Sequence, residues 1–484
     1  MIRLPILLLT FLLSGLQLLG QETNYWSNQI GSKSALIGGA VTASVRDNSA
    51  VYYNPGALAY MKKSSFSLST DIYTLDNLFI ENGAGQGINL SKTWLGVTPN
   101  FISGGLKIKG APFATLNYAA FSVHENNFDL KSVHNGQYDV LSIYDGKEYY
   151  QGNFDYRSNN KEDWIGVGFG LHFKNYFAIG VSTFLTLRQL HNITSLRTNL
   201  LSDQTLVPGV QIVGSTGSYR EIRHFHAGNV WKVGVATERD KISLGASITT
   251  PRWRIPVISS ATVERHYEED IDGQPTVQSS YFNEKVNANF KSPWIVDLGM
   301  QWAEEKTIYS FRVAFFSGIE PYALNETVDP VDVTDTTLRF ANREFQQVWT
   351  ANRPLVNFAV GLERKLNDQV SVLSGFRTDF NYMDFDKLDP NEKWVASINY
   401  WNTYHISGGI ELITKNGNDI VLGVNYAFGR SKGDLQLISL TDPLADNGLT
   451  GELQTNTSSV YQRLSLVLGL ALNFHRRGQA PEEE

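Results

Sequence analysis

Hydrophobic and polar residues alternate one by one over many short segments of this chain. In the last of these segments one face carries Leu464, Leu466, Leu468, Leu470, Leu472 and Phe474, and the other carries polar and small residues. A period of two is that of a β-strand. The same pattern predicts fourteen strands, at 63–73, 93–107, 112–126, 162–173, 176–190, 226–238, 241–250, 292–303, 307–317, 354–366, 369–381, 399–413, 419–430 and 460–474.

The links between these strands alternate between short and long. Two-residue links such as Lys174-Asn175 and Arg239-Asp240 alternate along the chain with much longer links. This alternation puts all the long loops at the same end of the strands. This organisation, with one apolar face on every strand, is typical of an outer-membrane β-barrel. The long stretch 191–225 contains apolar residues such as Leu200 and Val213, and the sequence leaves open whether they form a capture surface or a lid.

Composition narrows the classes of function. The chain has 484 residues, a net charge of −7 and no Cys, which excludes disulfides and thiolate chemistry, and an acidic chain is a poor partner for nucleic acid. The apolar run that ends at Gly20 is too short for a membrane helix and predicts a signal peptide over 1–20. We found no G-x-S-x-G or H-E-x-x-H motif, and we expect no catalysis, cofactor or metal.

Polar residues on the inward faces are candidates for the lining of the lumen. Register counted from the short link at 303–306 places Asp297 directly opposite Arg312, as a cross-strand ion pair. The other lumen candidates are Arg377, Asp379, His405 and Glu411. Most such groups are expected to pair with one another, because buried polar atoms need partners.

The segment before the first strand contains the most specific motif. It is rich in small residues and includes the run from Asp47 to Leu58, with Asn54-Pro55-Gly56 near its end. This run resembles the hatch of the FadL-like family of long-chain fatty acid outer-membrane transporters, although Gly56-Ala57 stands where that family usually has Ala-Gly. The resemblance implies an all-β, fourteen-stranded transmembrane barrel (63–474) with a hatch (21–62) in its lumen and a polar periplasmic tail (475–484).

The resemblance also implies a function in the outer membrane of a Gram-negative bacterium. In the family, hydrophobic compounds such as long-chain fatty acids enter from outside, the hatch shifts when the ligand binds, and the ligand leaves sideways into the bilayer. By this resemblance, Asn54-Pro55-Gly56 takes the position of the hatch motif that shifts. Pro99, Gly104 and Gly105 interrupt the second predicted strand and are our candidates for this lateral exit. The expected partners are a fatty acid-like molecule, outer-membrane lipid or lipopolysaccharide, and the barrel-assembly machinery. The alternative is a PorV-type barrel of type IX secretion, which acts through a protein partner at its extracellular face.

Overall fold

The structure is a computed structural model that describes residues 24–43, 45, 47–108, 110–173, 177–205, 208–326, 347–388, 394–395 and 401–474. The predicted signal peptide at 1–20 and the predicted tail at 475–484 lie outside the described residues. In the described part of the chain, no helix is long and apolar enough to cross a membrane.

The elements follow one another as short helices and then strands. Two α-helices, α1 (Ser32–Leu36) and α2 (Ala50–Tyr53), and a 3₁₀ helix (Pro55–Tyr60) come first. The strands are β1 (Ser64–Glu81), β2 (Leu90–Lys107), β3 (Ala114–Tyr138), β4 (Glu148–Phe173), β5 (Phe177–Ser202), β6 (Gln211–Arg239), β7 (Ile242–Thr249), β8 (Trp253–Arg254), β9 (Ser260–Ile271), β10 (Val277–Asn287), β11 (Ile295–Ala303), β12 (Thr307–Phe316), β13 (Ile319–Ala323), β14 (Val348–Asn352), β15 (Leu355–Lys365), β16 (Val370–Asp379), β17 (Trp394–Val395), β18 (Asn402–Ile413), β19 (Asp419–Asp434) and β20 (Thr457–Phe474). Further 3₁₀ turns lie at Pro256–Ile258, Phe385–Lys387 and Ala445–Asn447.

Fourteen of these strands form a closed antiparallel barrel. They are β1 to β7, β11, β12, β15, β16, β18, β19 and β20, and the pairing of β20 with β1 closes the cylinder. The predicted fold class is therefore confirmed. The remaining strands lie beyond one rim, where β8 and β9 pair with the upper part of β6, β10 pairs with β9, and β13, β14 and β17 form a small separate sheet.

The outer surface of the barrel carries an apolar band. Leu95, Val167, Leu298 and Leu466 all expose their side chains on this face, and Leu95 is 66% exposed. The alternate residues of the same strands point inward and include most of the buried polar residues. Since an apolar exterior around a polar interior is the inverse of a soluble protein, the band is the surface that faces lipid.

Four adjacent strands are much longer than a membrane requires. β3, β4, β5 and β6 have 25, 26, 26 and 29 residues, whereas about 9–11 residues cross a bilayer. Their upper parts, with β9 and β10, form an extracellular sheet. The prediction of a loop over 191–225 was wrong for most of its length, because the alternation continues there with apolar inward residues: Leu200 and Val213 are buried in one cluster.

The register of one hairpin also differs from the prediction. β11 and β12 pair Ala303 with Ile308, which places Gly299 opposite Arg312 and Asp297 opposite Ala314. Four residues, 304–307, therefore lie between the last pair of this hairpin, and the predicted direct opposition of Asp297 and Arg312 was wrong by two positions. Both side chains still point inward, because a shift of two residues keeps the face.

Candidate functional site

The described residues between 24 and 62 fill the lumen of the barrel, and we call them the hatch. It contacts the wall where inward positions are glycines, because a side chain there would occupy the space of the hatch backbone. A Cβ on Gly299 would lie 2.7 Å from Ala43 N, and one on Gly361 would lie 2.6 Å from Ile37 O. The glycines of this ring that touch the hatch are Gly105, Gly168, Gly170, Gly180, Gly234, Gly245, Gly299, Gly361, Gly375, Gly409, Gly423 and Gly469.

The Asn54-Pro55-Gly56 motif sits in one part of this ring. Asn54 is fully buried, and its amide nitrogen donates to Thr42 O at 2.8 Å and to Val235 O of β6 at 2.9 Å. Its side-chain oxygen accepts from Gly56 N at 3.0 Å and caps the 3₁₀ helix. A Cβ on Gly56 would lie 2.8 Å from the wall carbonyl of Gly234. The motif thus joins the hatch to itself and to the wall.

Charged side chains form further links between hatch and wall. Near the short-turn rim, Lys33 Nζ of α1 lies 2.7 Å from Glu411 Oε2 and 3.1 Å from Glu363 Oε2. Burial by itself would lower the pKa of Lys33, and the two carboxylates outweigh this effect, so that the pKa lies above its ordinary value of 10.5. The lysine is therefore charged at neutral pH and holds α1 against β15 and β18.

The predicted pair of Asp297 and Arg312 forms and also reaches the hatch. Arg312 Nε donates to Asp297 Oδ1 at 2.8 Å, and Arg312 Nη1 donates to Gly39 O at 3.4 Å. The guanidinium lies 4.2 Å from the ring centroid of Trp26, in cation–π geometry. Lys232 Nζ is 3.7 Å from the second oxygen of Asp297. All of these side chains except Trp26 belong to the wall, so a single buried cluster connects β6, β11 and β12 to the hatch.

Three other lumen candidates meet at the first described residues of the hatch. Arg377 Nε donates to Trp26 O at 3.2 Å, and its Nη2 lies 2.8 Å from His405 Nδ1. Asp379 Oδ1 accepts from Trp26 N at 2.8 Å. The structure therefore brings Arg377, Asp379 and His405 together, and separates them from Glu411, which lies with Lys33 at the other end of the hatch.

A cavity of about 100 Å³ lies between the hatch and the extracellular side of the wall. Tyr25, Trp26 and Tyr52 of the hatch line it, opposite Trp164 and Phe290 of the wall. Burial raises the pKa of Tyr52 to about 12, so its phenol stays neutral. An apolar cavity of about 150 Å³ holds a benzene molecule, so this one is too small for a long acyl chain while the hatch is in place.

Arginine gives the cavity a positive end. Arg252 and Arg188 both line it and both bind Glu162, Arg188 through Nη1 at 3.2 Å. The Phe290 ring packs against both guanidinium groups. The Arg252 side chain is 1% exposed, and its Nε and Nη1 have no hydrogen-bond partner among the described residues. One carboxylate thus faces two guanidinium groups, which leaves buried donors for an anion.

The wall is open beside this cavity. β2 and β3 pair only from Phe101–Phe121 to Lys107–Thr115, within the described residues. Above this point β2 pairs with β1 and β3 pairs with β4, and the two strands meet again only through side chains, where Trp94 packs on Phe128. We call the unpaired stretch between these contacts the window. β3 has a bulge here between Ser122 and His124, and Val123 and His124 also line the cavity.

The predicted exit residues lie around the lower edge of the window. Pro99 pairs with Thr70 of β1, next to a shift in the β1–β2 register. Gly105 faces the hatch, since a Cβ there would lie 2.5 Å from both Asn48 Oδ1 and Met61 Cε. Gly104 faces outward beneath the ring of Tyr118. Pro99 therefore lies within the unpaired stretch of β2, and Gly104 and Gly105 lie in the paired stretch below it.

Sequence reasoning missed Arg252, Glu162 and Val123. Arg252 follows the end of a predicted strand, where the run Arg252-Trp253-Arg254 is a visible but unspecific signal. Glu162 began a predicted strand, and Val123 lay within the predicted strand 112–126. A bulge leaves no mark in the hydrophobic alternation as clear as a proline does, so the break in β3 could not be read from the sequence.

Comparison with known proteins agrees with this architecture. No protein-family profile matches the chain, and no curated protein sequence matches it. Among solved structures it is similar to the Pseudomonas putida toluene transporter TodX, with a TM-score of 0.54 at 14% identity, over 93% of this chain and 100% of the other. It is also similar to a Pseudomonas aeruginosa FadL homologue, with a TM-score of 0.58 at 10% identity and the same coverage. The chain therefore has the fold of the FadL-type barrels of the Gram-negative outer membrane.

Proposed function

We propose that the protein takes up long-chain fatty acids or similar hydrophobic acids across the outer membrane, by movement of the hatch and lateral release through the window. The observation that carries this proposal is the composition of the cavity. It joins an aromatic wall to the unpaired donors of Arg252, and it touches both the hatch, at Tyr52, and the window, at Val123. The similarity to a toluene transporter and a FadL homologue supports uptake of a hydrophobic compound.

Energetics favour a long amphiphile over a small hydrocarbon. Burial of an acyl chain gains about 0.8 kcal/mol per CH₂, or on the order of 12 kcal/mol for sixteen carbons. The cavity of about 100 Å³ cannot receive such a chain unless the hatch shifts. The gain from burial is large enough to offset the loss of several hatch hydrogen bonds, at about 0.5–1.5 kcal/mol each. The carboxylate would stay at Arg252 while the chain displaces the hatch.

Release into the bilayer follows from the position of the window. Leu95 and Ile102, on either side of the unpaired part of β2, both expose apolar side chains on the lipid-facing surface. A ligand that passes Val123 therefore leaves an apolar cavity for an apolar environment without crossing water. No backbone hydrogen bond between β2 and β3 has to break, since none forms there among the described residues.

Binding of two matched ligands tests the role of the headgroup. Oleate and oleyl alcohol share one chain and differ in charge, and the fluorescence of Trp26 and Trp164 reports their binding to the full chain in detergent. We expect Arg252→Ala to weaken the binding of oleate about tenfold and to leave the binding of oleyl alcohol unchanged, since a charge-assisted hydrogen bond contributes about 1.5–3 kcal/mol. Arg254→Ala is the control, because Arg254 binds Asn287 and Asn289 outside the cavity. Equal loss for both ligands would disprove the headgroup role.

Uptake into vesicles tests the window. Val123→Trp fills the bulge where cavity and window meet, and we expect it to abolish oleate uptake while oleate binding persists. Val133→Trp is the matched control, since Val133 lies farther along β3 and is 64% exposed. Uptake that survives Val123→Trp would contradict lateral release. If the purified chain binds neither ligand and instead carries a large protein in equal amount, the PorV-type alternative replaces this proposal.

A further inference from the structure

We propose that the outer face of the extracellular sheet binds the saccharide part of lipopolysaccharide. The site is a shallow groove of about 380 Å³ that crosses β5, β6, β9 and β10. We call it the outer groove, and its main residues are Ser195, Arg197, Tyr219, His266, Gln278 and Ser280. It is remote from the hatch and the cavity, so the inference does not depend on the transport proposal.

The outer groove continues the lipid-facing surface of the barrel. On β5 the exposed apolar residues Phe177, Val181 and Leu185 have the same odd-numbered parity as Ser195 and Arg197, so all lie on one face. Arg197 is about 40 Å farther along the strand than Leu185, at ~3.4 Å per residue. With a strand tilt of roughly 40°, it stands about 30 Å above the apolar band. Arg197 therefore lies on the extracellular side, above the outer leaflet.

The register of the sheet assembles the groove on that single face. Ser195 pairs with Tyr219, and Tyr219 pairs with His266. His266 in turn pairs with Ser280. Arg197 pairs with Gly217, which has no side chain and forms a low point in the sheet, where a Cβ would lie 2.9 Å from Glu268 Cγ. A recess between side chains from four strands results.

The chemistry of the groove suits a sugar rather than a protein. The rings of Tyr219 and His266 have centroids 6.2 Å apart and provide a flat platform, and Ser280 Oγ lies 2.8 Å from His266 Nδ1. Hydroxyl, amide and imidazole groups surround this platform together with the carboxylate of Glu268, and His266 Nε2 lies 2.7 Å from Glu264 Oε1. A protein interface of similar size usually has an apolar core, and the lining of the outer groove includes one aliphatic side chain, Leu196, which belongs to the opposite face.

Arg197 provides the charge that a phosphorylated sugar requires. Neighbouring arginines on this face are neutralised: Arg157 binds Asp155 at 2.5 Å, and Arg223 binds Glu221 at 2.7 Å. Arg197 is exposed and forms no ion pair within the described parts of the chain. The sugars of lipopolysaccharide carry phosphate and carboxylate groups, which a guanidinium binds with two parallel hydrogen bonds. We infer that Arg197 holds one of these anions while Tyr219 and His266 contact the sugar ring.

Binding of a soluble saccharide tests this inference. The probe is the deacylated oligosaccharide of lipopolysaccharide, titrated by calorimetry into the full chain in nanodiscs, with heat-modifiable gel mobility as the check on folding. We expect Arg197→Ala to weaken binding of the phosphorylated oligosaccharide at least tenfold. For the dephosphorylated oligosaccharide, Arg197→Ala and the wild type should bind equally. Tyr219→Ala should weaken the binding of both oligosaccharides. Arg239→Ala, at the exposed opposite end of β6, is the control and should change nothing.

Three results would overturn the inference. The first is no binding of the oligosaccharide by the wild-type chain. The second is equal binding by wild type, Arg197→Ala and Tyr219→Ala. The third is binding only of intact lipopolysaccharide, unaffected by Arg197→Ala, which contact between acyl chains and the apolar band would explain. None of these results bears on oleate binding at Arg252, so the two proposals can fail separately.

Discussion

Asn54 is the residue whose replacement tests the seating of the hatch most directly. Its side chain makes three hydrogen bonds of 2.8–3.0 Å, to Thr42 O, to Val235 O and from Gly56 N, and it is fully buried. At about 1 kcal/mol for each bond, Asn54→Ala should weaken the seated state by about 3 kcal/mol. This corresponds to roughly a hundredfold more molecules with a displaced hatch.

A second variant separates the hydrogen bonds from the loss of volume. Asn54→Asp keeps the shape and the acceptor for Gly56 N, but it places a carboxylate oxygen against the carbonyl oxygens of Thr42 and Val235. We therefore expect it to release the hatch at least as much as Asn54→Ala does. Asn28→Ala is the matched control, because the amide of Asn28 is buried in the same hatch but donates to Ser122 O over a long distance of 3.5 Å, which makes a weak hydrogen bond.

Ion current through planar bilayers measures the result. A seated hatch leaves little room for ions, so both Asn54 variants should show frequent open events, and Asn28→Ala should resemble the wild type. Amide hydrogen exchange at 50–60 should rise in parallel, since local opening controls exchange. If both Asn54 variants form heat-modifiable barrels with wild-type current and wild-type exchange, then the hydrogen bonds of Asn54 do not hold the hatch.

Three more predictions concern the other contacts of the hatch. Gly234→Val should displace the hatch and raise ion current, whereas Gly96→Val, on a strand position with nothing within 4 Å, should not. Arg312→Met should lower the stability of the seated state by about 3 kcal/mol, measured as an earlier urea midpoint of tryptophan fluorescence, because it leaves Lys232, 3.7 Å away, as the one cation beside the buried Asp297 among the described residues. Lys33 has a raised pKa, so its contribution is complete below pH 10.5 and is lost only as the pH rises through its folded value. The rise in ion current caused by Lys33→Met should therefore be the same at about pH 6 and at about pH 9, and a rise that disappears within that range would contradict the anchor.

The strands could be predicted because their signal is local. Alternation at 460–474 requires no knowledge of any other strand, and the same holds for the other thirteen segments. The ends of β5 and β6 could not be placed, because a strand above the membrane exchanges its outward apolar residues for polar ones and then resembles a loop. Gln189 and Arg197 are on the same face as Leu185, and only the sheet shows this continuity.

The site was less accessible to sequence reasoning than the wall. The inward direction of Asp297, Arg312 and Arg377 followed from parity, but their partners on the hatch did not, since the path of an irregular segment has no period. Gly168 and Gly170 were visible as inward glycines, yet nothing near them in the sequence shows that the hatch approaches there. Contacts between distant parts of the chain decide such positions.

The glycine ring also constrains the order of biogenesis. Ser32, near the start of the described residues, lies against Gly469 in the last strand, and the intervening strands surround the same short segment. Contacts of such long sequence separation form late and slowly. The segment can make its contact with Gly469 only once the last strand is in place. We therefore expect the amino-terminal segment to lack its packing contacts until the final hairpin is inserted. The barrel then completes its closure around this segment.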